Sequence, residues 1–495
     1  MVVASICITL PSWEQDRALG KESHCGIMTA EKFNRRSDLL SQTSQPSARS
    51  RLTLPAIAVT AVIVFVSLTV WGGVPTGETL AFAAGVAILL GALLAFGFAV
   101  WHLLVKPLPA GVEVPKTSAI SFAQRRLFAV LLLISGVCLV VGGFWDEVWH
   151  RSFGLPFGPD LLWRPHLLIY ASLLIPSVLA LVYVFRAVVN GEGTLQQRFR
   201  ADPALGFMTL TGGLLMFLVP ADPIWHTIYG EDISAWSLPH IVLLFNVSIV
   251  TMLAAAVQLS TLAPRAWSAI GRMAAPETLA LIACAFALDL QLQVLATDWE
   301  NANATIRARP DWLLPAIYVA LAAFMGTFAN HTLRRVGSAT ATGALTLLVR
   351  FGLIQLFNYH AITIDSWLPV LPPLIALDMW HAYRLRTGRS PSSALWNGVA
   401  ATIGLLLVSI FVINRVFAHT QIGWANLAPV VVACVLIGAG GSWLGRALGD
   451  TLASENKHLE AAQQPDARMR FVSPALFAGA LVFIVFFVVT AAPPH

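Results

Sequence analysis

Two stretches of the sequence carry the same polar and aromatic residues in the same order. In each, an aspartate lies four residues before a histidine, a tryptophan directly precedes that histidine, and a Pro-His pair follows where the next apolar run begins. The candidate ligands of the first stretch and then of the second are Asp146, His150, His166, Asp222, His226 and His240. Residues four apart on a helix share one face, about 5–6 Å from each other, and proline is favoured in the first turn of a helix. Each stretch therefore predicts one carboxylate and two imidazoles at the junction of two antiparallel helices.

This set of side chains predicts a transition-metal site. Two imidazoles and one carboxylate can bind a metal ion and still leave coordination positions open. In the absence of a thiolate they suit copper, iron or zinc better than calcium. The alternative is an Asp–His hydrogen bond that ties two helix ends together, with the neighbouring tryptophans as anchors at the membrane surface. Whether the chain catalyses a reaction stays open at this point.

The second stretch also resembles a known metal-binding segment. Residues 222–232, which read Asp-Pro-Ile-Trp-His-Thr-Ile-Tyr-Gly-Glu-Asp, are followed by Ser-Leu-Pro-His240. Together they resemble a metal-binding segment in the membrane-embedded part of the copper membrane monooxygenases, the particulate methane and ammonia monooxygenase family. The resemblance implies that Asp222, His226 and His240 bind copper, and that the matching residues of the first stretch form a second or shared site. It implies a metal-dependent membrane oxidoreductase if the chain is an enzyme. The chain departs from the family in a slightly longer spacing between the histidines, in the duplication, and in a larger number of apolar runs.

Composition predicts a protein that lies in a lipid bilayer. The chain is 57% hydrophobic and 12% charged, with a mean hydropathy of +0.72, whereas soluble domains carry about 25% charged residues. The net charge is +5, but the basic residues lie in short loops between apolar runs, Arg125 and Arg126 among them. They therefore indicate membrane topology rather than a nucleic-acid partner. The five cysteines form no Cys-x2-Cys motif, which excludes a disulfide framework or a zinc knuckle of that type.

Apolar runs define the predicted architecture. A helix needs about 20 residues to cross ~30 Å of hydrocarbon. The thirteen runs that approach or exceed this length cover residues 53–72, 79–105, 127–145, 166–189, 205–221, 239–262, 277–297, 311–330, 339–362, 367–383, 396–416, 426–449 and 471–492. Lysine and arginine concentrate in alternate loops, which predicts a cytoplasmic N-terminus and an extracytoplasmic C-terminus. We therefore expect an all-α, polytopic transmembrane helical bundle in the cell (inner) membrane.

The predicted organisation has four parts. Residues 1–52 are polar and basic and are expected to form a disordered cytoplasmic tail. Residues 53–126 hold the first two transmembrane helices, residues 127–262 the duplicated Asp/His helix-pair module, and residues 263–495 the further transmembrane helices. The expected partners are the lipid bilayer, other membrane subunits and a small-molecule substrate of unspecified class.

Two other functions stay open. Duplicated modules are common in secondary transporters and permeases, and the chain could also be a non-catalytic assembly or structural subunit of a membrane complex. Asp289 and Arg350 lie within apolar runs, where ionisable residues are commonly functional. We expect Asp289 either to orient a ligating histidine or to pair with Arg350. Asp378 and His381 lie near a predicted cytoplasmic span end, and we expect both to be interfacial anchors.

Overall fold

Long apolar runs form helices throughout the described part of the chain. The structure, a computed structural model, describes residues 79–109, 111–115, 118–153, 163–229, 238–262, 266–296, 312–359, 364, 367–389, 393–411, 427–454 and 469–491. In these ranges the α-helices are α1 (Thr79–Val100), α2 (Phe122–Phe153), α3 (Arg164–Asn190), α4 (Leu195–Ala201), α5 (Pro203–Tyr229), α6 (Leu238–Leu259), α7 (Ala275–Ala296), α8 (Leu313–Leu333), α9 (Ser338–Phe357), α10 (Leu371–Arg386), α11 (Ala394–Phe411), α12 (Leu427–Ser454) and α13 (Met469–Val489). A helix bonds its own backbone polar groups, as a segment in lipid must do.

Among the described residues, ten helices are long and apolar enough to cross a membrane. They coincide with ten of the predicted runs, from 79–105 to 471–492. Two other predicted runs contain shorter apolar segments, in α10 and α11. The run 53–72 and the tail 1–52 lie outside the described residues. The described chain is thus an all-α bundle of the kind that a multi-pass membrane protein forms.

The helices that contain the two Asp/His stretches pack as a ring of four. Helix α2 contacts α3, α3 contacts α5, α5 contacts α6, and α6 returns to α2. At one end, Arg125 in the first turn of α2 donates to Asp202, directly before α5, and to Ser260, directly after α6. We call this the Arg125 end. The α2–α3 and α5–α6 junctions both lie at the opposite end, which we call the His166 end.

The remaining helices extend the bundle from this ring. Helix α7 packs on α2 and α6 and also contacts α8 and α9, so it connects the ring to the second half of the chain. That half is a group in which α8 contacts α9, α10, α11 and α12. Helix α1 packs on α5, and α13 packs on α2.

Glycines let α8 and α12 approach backbone to backbone. A Cβ atom added at Gly441 would lie 2.7 Å from the carbonyl oxygen of Ala320, and one added at Gly445 would collide with that of Phe324. Small residues permit this close approach in membranes, where helices gain little by burying apolar surface that lipid already covers. Close van der Waals packing therefore holds this helix pair together.

Two short strands connect loops at the Arg125 end. Strand β1 (Ser268–Ala269) pairs in parallel with β2 (Arg335–Val336). Beside them, Arg335 Nη2 lies 2.7 Å from Glu277 Oε1, in the first turn of α7. The loop after α6 and the loop between α8 and α9 are therefore fastened to each other and to α7.

Candidate metal site and buried polar network

The first Asp/His stretch brings a carboxylate and an imidazole together at the His166 end. Asp146 lies two turns before the end of α2, and His166 lies in the first turn of α3 after Pro165. His166 Nε2 is 3.1 Å from Asp146 Oδ1, and each side chain is about a quarter exposed, at 24% and 23%. The predicted convergence of these two residues across the helix junction is therefore observed.

Aromatic rings surround this pair. The Trp163 ring lies edge-on to His166 at 5.9 Å and to Trp149 at 4.2 Å, and Tyr170 lies 6.2 Å from His166 on its next turn. These rings limit the positions that the His166 imidazole can take and cover part of it from solvent. The result is an imidazole that is oriented by its neighbours but still accessible.

The other predicted ligands are only partly described. His150 lies on α2, and Asp222 and His226 lie on α5, but the side chains of these three residues are outside the described part of the structure. His240 lies in the first turn of α6 and is half-buried. Both stretches thus place the Asp-x3-His segment near the end of one helix and the Pro-His pair at the start of the next. Among the described residues there is no group of three or more His, Cys, Asp or Glu that could hold a metal ion.

A second charged group lies inside the bundle toward the same end. Arg350 of α9 and Asp289 of α7 form a bidentate ion pair in which both side chains are 0% exposed. Arg350 Nε donates to Asp289 Oδ1 at 3.1 Å, and Nη2 donates to Oδ2 at 2.5 Å. The guanidinium also lies 4.8 Å from the centre of the Phe144 ring and 4.2 Å from that of Trp367. Of the two roles that the sequence left open for Asp289, the structure shows the pairing with Arg350.

A polar network occupies the Arg125 end of the second half. Asn330 Oδ1 accepts from the Ala339 N–H, and Asn330 Nδ2 donates to Asp378 Oδ1. The same Nδ2 lies 3.0 Å from His381 Nδ1. Because these contacts orient the amide as a donor toward the ring, Nδ1 of His381 accepts and its proton is on Nε2. Asp378 Oδ2 also accepts from the N–H of Thr340 in the first turn of α9.

This network corrects one prediction. We expected Asp378 and His381 to be interfacial anchors, yet they are only 6% and 0% exposed. Their spacing of three residues turns both toward α8 and α9 rather than toward the membrane surface. The neighbouring His331 is also buried, and its Nδ1 lies 3.0 Å from Asp450 Oδ1 on α12. Burial in a partnered network, and not amphipathic anchoring, explains these side chains.

A further ion pair was missed by the sequence reasoning. Arg125, counted there as a loop cation, is 2% exposed and bonds both carboxylate oxygens of the fully buried Asp202. Ser118 Oγ also donates to Asp202 Oδ2 at 2.7 Å. The one available signal was the Asp202-Pro203 pair, because an aspartate before a proline is a common helix start. Such a carboxylate attracts cations from neighbouring helix ends.

Comparison with models of protein families, with curated proteins and with solved structures gives no match for this chain. The resemblance to the copper membrane monooxygenases therefore rests on the residues of the two Asp/His stretches alone.

Proposed function

We propose that this chain is a multi-pass membrane protein that binds copper at an extracytoplasmic Asp/His site, as a subunit of a metal-dependent membrane oxidoreductase. The observation that carries the proposal is the 3.1 Å approach of Asp146 Oδ1 to His166 Nε2 at the junction of α2 and α3. Two side chains from separate helices meet there, and both stay partly accessible to an ion from solution.

The donor set fits a transition metal. A carboxylate that contacts one nitrogen of an imidazole is the usual arrangement around a ligating histidine, because it orients the ring and increases its basicity. His166 would ligate the metal, with Asp146 as its orienting partner or as a second ligand. A bound copper ion would supply a redox centre with open positions for dioxygen or a small substrate.

The second stretch supports the same proposal. Asp222 and His226 lie on α5 and His240 at the start of α6, so this stretch occupies the same end of the four-helix ring as the first. The positive-inside rule assigns the Arg125 end to the cytoplasm and the His166 end to the opposite side. On this assignment both candidate sites open toward the extracytoplasmic surface.

Metal analysis of the purified protein tests the proposal. We expect stoichiometric copper in the wild type and a weakening of copper affinity by about 10–100-fold in His166→Ala, the range found when a histidine-orienting contact or ligand is lost. Asp146→Asn, His226→Ala and His240→Ala separate the two stretches from each other. His102→Ala is the matched control, because this histidine lies at the π-helical end of α1, against the Phe98 ring.

Two outcomes would contradict the proposal. One is the same trace metal content in the wild type, in the variants and in the control. The other is retention of copper when both His166 and His240 are replaced. Either would leave the Asp146–His166 contact as a hydrogen bond that ties two helix ends together.

A second candidate function is secondary transport. It is favoured by the Asp289–Arg350 pair, which is fully buried within helices of membrane-spanning length. Ionisable groups in such positions commonly mark substrate or ion pathways. Substrate uptake into vesicles, driven by an imposed proton gradient and lost in Asp289→Asn, would favour transport over oxidation.

A further inference from the structure

Helix α9 carries its polar residues on its buried face and its apolar residues on its exposed face. Ser338, Thr342, Thr346 and Arg350 recur every four residues and are all 0% exposed. Leu348, which points away from this face, is 65% exposed. Residues four apart share one side of a helix. The buried side of α9 is therefore a continuous polar seam, defined by these four residues.

The hydroxyl groups of the seam are incompletely bonded within the protein. Thr346 Oγ1 donates to the carbonyl oxygen of Ala285 on α7 at 3.0 Å. Ser338 Oγ and Thr342 Oγ1 are buried and have no hydrogen-bond partner among the described residues. A buried hydroxyl without a partner costs about 1–3 kcal/mol. This cost disappears if the seam admits a small polar molecule such as water, which bonds otherwise unsatisfied buried groups.

Charged and titratable groups lie at both ends of the seam. At one end, Arg350 is paired with Asp289 and lies 3.4 Å from Gln293 Oε1. At the other end, Asn330 and Asp378 bond the N–H groups of Ala339 and Thr340, directly beside Ser338.

Beyond Asp378 the network continues toward the surface. The rings of His381 and His331 are 6.1 Å apart, and His331 contacts Asp450, which is 33% exposed. Asp450 also lies within 3.4 Å of Arg334 and 3.2 Å of Arg446. Proton-accepting side chains thus extend from a partly exposed carboxylate to the first turn of α9.

We propose that the seam of α9 is a proton pathway through the bundle. From Ser338 to Arg350 the helix rises about 18 Å, more than half of the ~30 Å hydrocarbon thickness. Successive side chains are about 6 Å apart along the axis, a gap that one water molecule bridges.

The proton balance of this pathway is simple. Protons enter from water at the Asp450–His331 side, move between the seam hydroxyls through single waters, and leave past Asp289 toward the His166 end, or take the reverse route. No other reactant is consumed, since a transmembrane proton gradient or voltage supplies the driving force. This inference does not depend on metal binding at Asp146 and His166.

Proton flux into proteoliposomes tests the pathway. Purified full-length protein is reconstituted with an enclosed pH-sensitive dye, and a potassium gradient with valinomycin imposes the voltage. We expect flux above that of protein-free vesicles, and a decrease of about tenfold or more in Thr342→Val/Thr346→Val, because valine keeps the shape of threonine without its hydroxyl. Thr346→Ser keeps a hydroxyl and should retain the flux.

Thr402→Val is the matched control. Thr402 of α11 is 2% exposed, and its Oγ1 bonds the carbonyl oxygen of Gly398 within its own helix. Wild-type flux no greater than that of empty vesicles would overturn the proposal. So would full flux in the double valine variant, or an equal loss in Thr402→Val. If the double variant does not fold, the two single valine variants and Thr346→Ser decide the same question.

Discussion

Replacement of Asp289 by asparagine isolates the energetic role of the buried ion pair. Asparagine keeps the shape of the side chain and one acceptor oxygen but removes the negative charge. The Arg350 guanidinium, which is 0% exposed and bonds Asp289 through two nitrogens, then remains buried without its counter-ion. Nothing in the packing around α7 and α9 needs to change for this effect to occur.

The magnitude follows from the contacts that are lost and those that remain. Removal of one partner of a buried ion pair costs about 3–5 kcal/mol. The Phe144 and Trp367 rings still face the guanidinium, and a desolvated cation–π contact is worth up to about 2 kcal/mol. We therefore expect Asp289→Asn to destabilise the protein by about 3 kcal/mol, the lower part of that range. Arg350→Met, which strands the carboxylate instead, should cost a similar amount.

The double variant Asp289→Leu/Arg350→Met should be far less harmful than the sum of the single changes. Apolar residues of similar volume often replace a buried ion pair at no net cost. Stability is measured in detergent micelles by titration with sodium dodecyl sulfate, followed by the loss of helical circular dichroism. Arg446→Gln is the control, since the Arg446–Asp450 pair is partly exposed and such i,i+4 pairs contribute about 0.3–0.5 kcal/mol.

Two results would refute this reasoning. If Asp289→Asn costs no more than Arg446→Gln, the pair contributes little and its burial is not energetically demanding. If the single-variant costs simply add in the double variant, the two side chains act independently despite their contact.

Two further predictions concern helix packing. Gly445→Ala should destabilise the protein by about 1–3 kcal/mol, because its Cβ would collide with the Phe324 carbonyl, whereas Gly440→Ala should be close to neutral because no atom lies within 4 Å of the added Cβ; thermal unfolding compares the two, and equal midpoints would contradict the close α8–α12 packing. Arg164→Gln should loosen the end of α13, since Arg164 donates to the Phe487 carbonyl at 2.8 Å and covers the Phe487 ring. Limited proteolysis near the C-terminus should then become faster than in the wild type, and an unchanged rate would contradict this role.

The sequence predicted the helices well because each apolar run had to satisfy its backbone in lipid, and only a helix does so within one segment. It also allowed for the pairing of Asp289 with Arg350, because two opposite charges in neighbouring apolar runs have few other partners. Asp146 and His166 were expected to meet because both lie at one helix junction, where chain connectivity restricts the geometry.

Other parts of the structure depend on contacts that spacing along one helix does not reveal. Whether Arg125 faces water or a carboxylate depends on α5, whose start is distant in sequence. His381 looked like a surface residue because it lies near a helix end, yet Asn330 of α8 covers it. The polar side of α9 is visible as a four-residue spacing, but its burial depends on how α7 and α8 pack against it.

The fastening of the first turn of α9 has a mechanical consequence. Strand β2 immediately precedes the helix, and Asn330 and Asp378 grip its first N–H groups. A 20-residue helix held in this way can move only as a lever with its fulcrum at the Arg125 end. A swing of about 5° would shift the tip of such a ~30 Å rod by roughly 2.6 Å and leave its base in place. The two faces of the protein are therefore mechanically unequal, and any aperture opens at the face that holds Asp146 and His166.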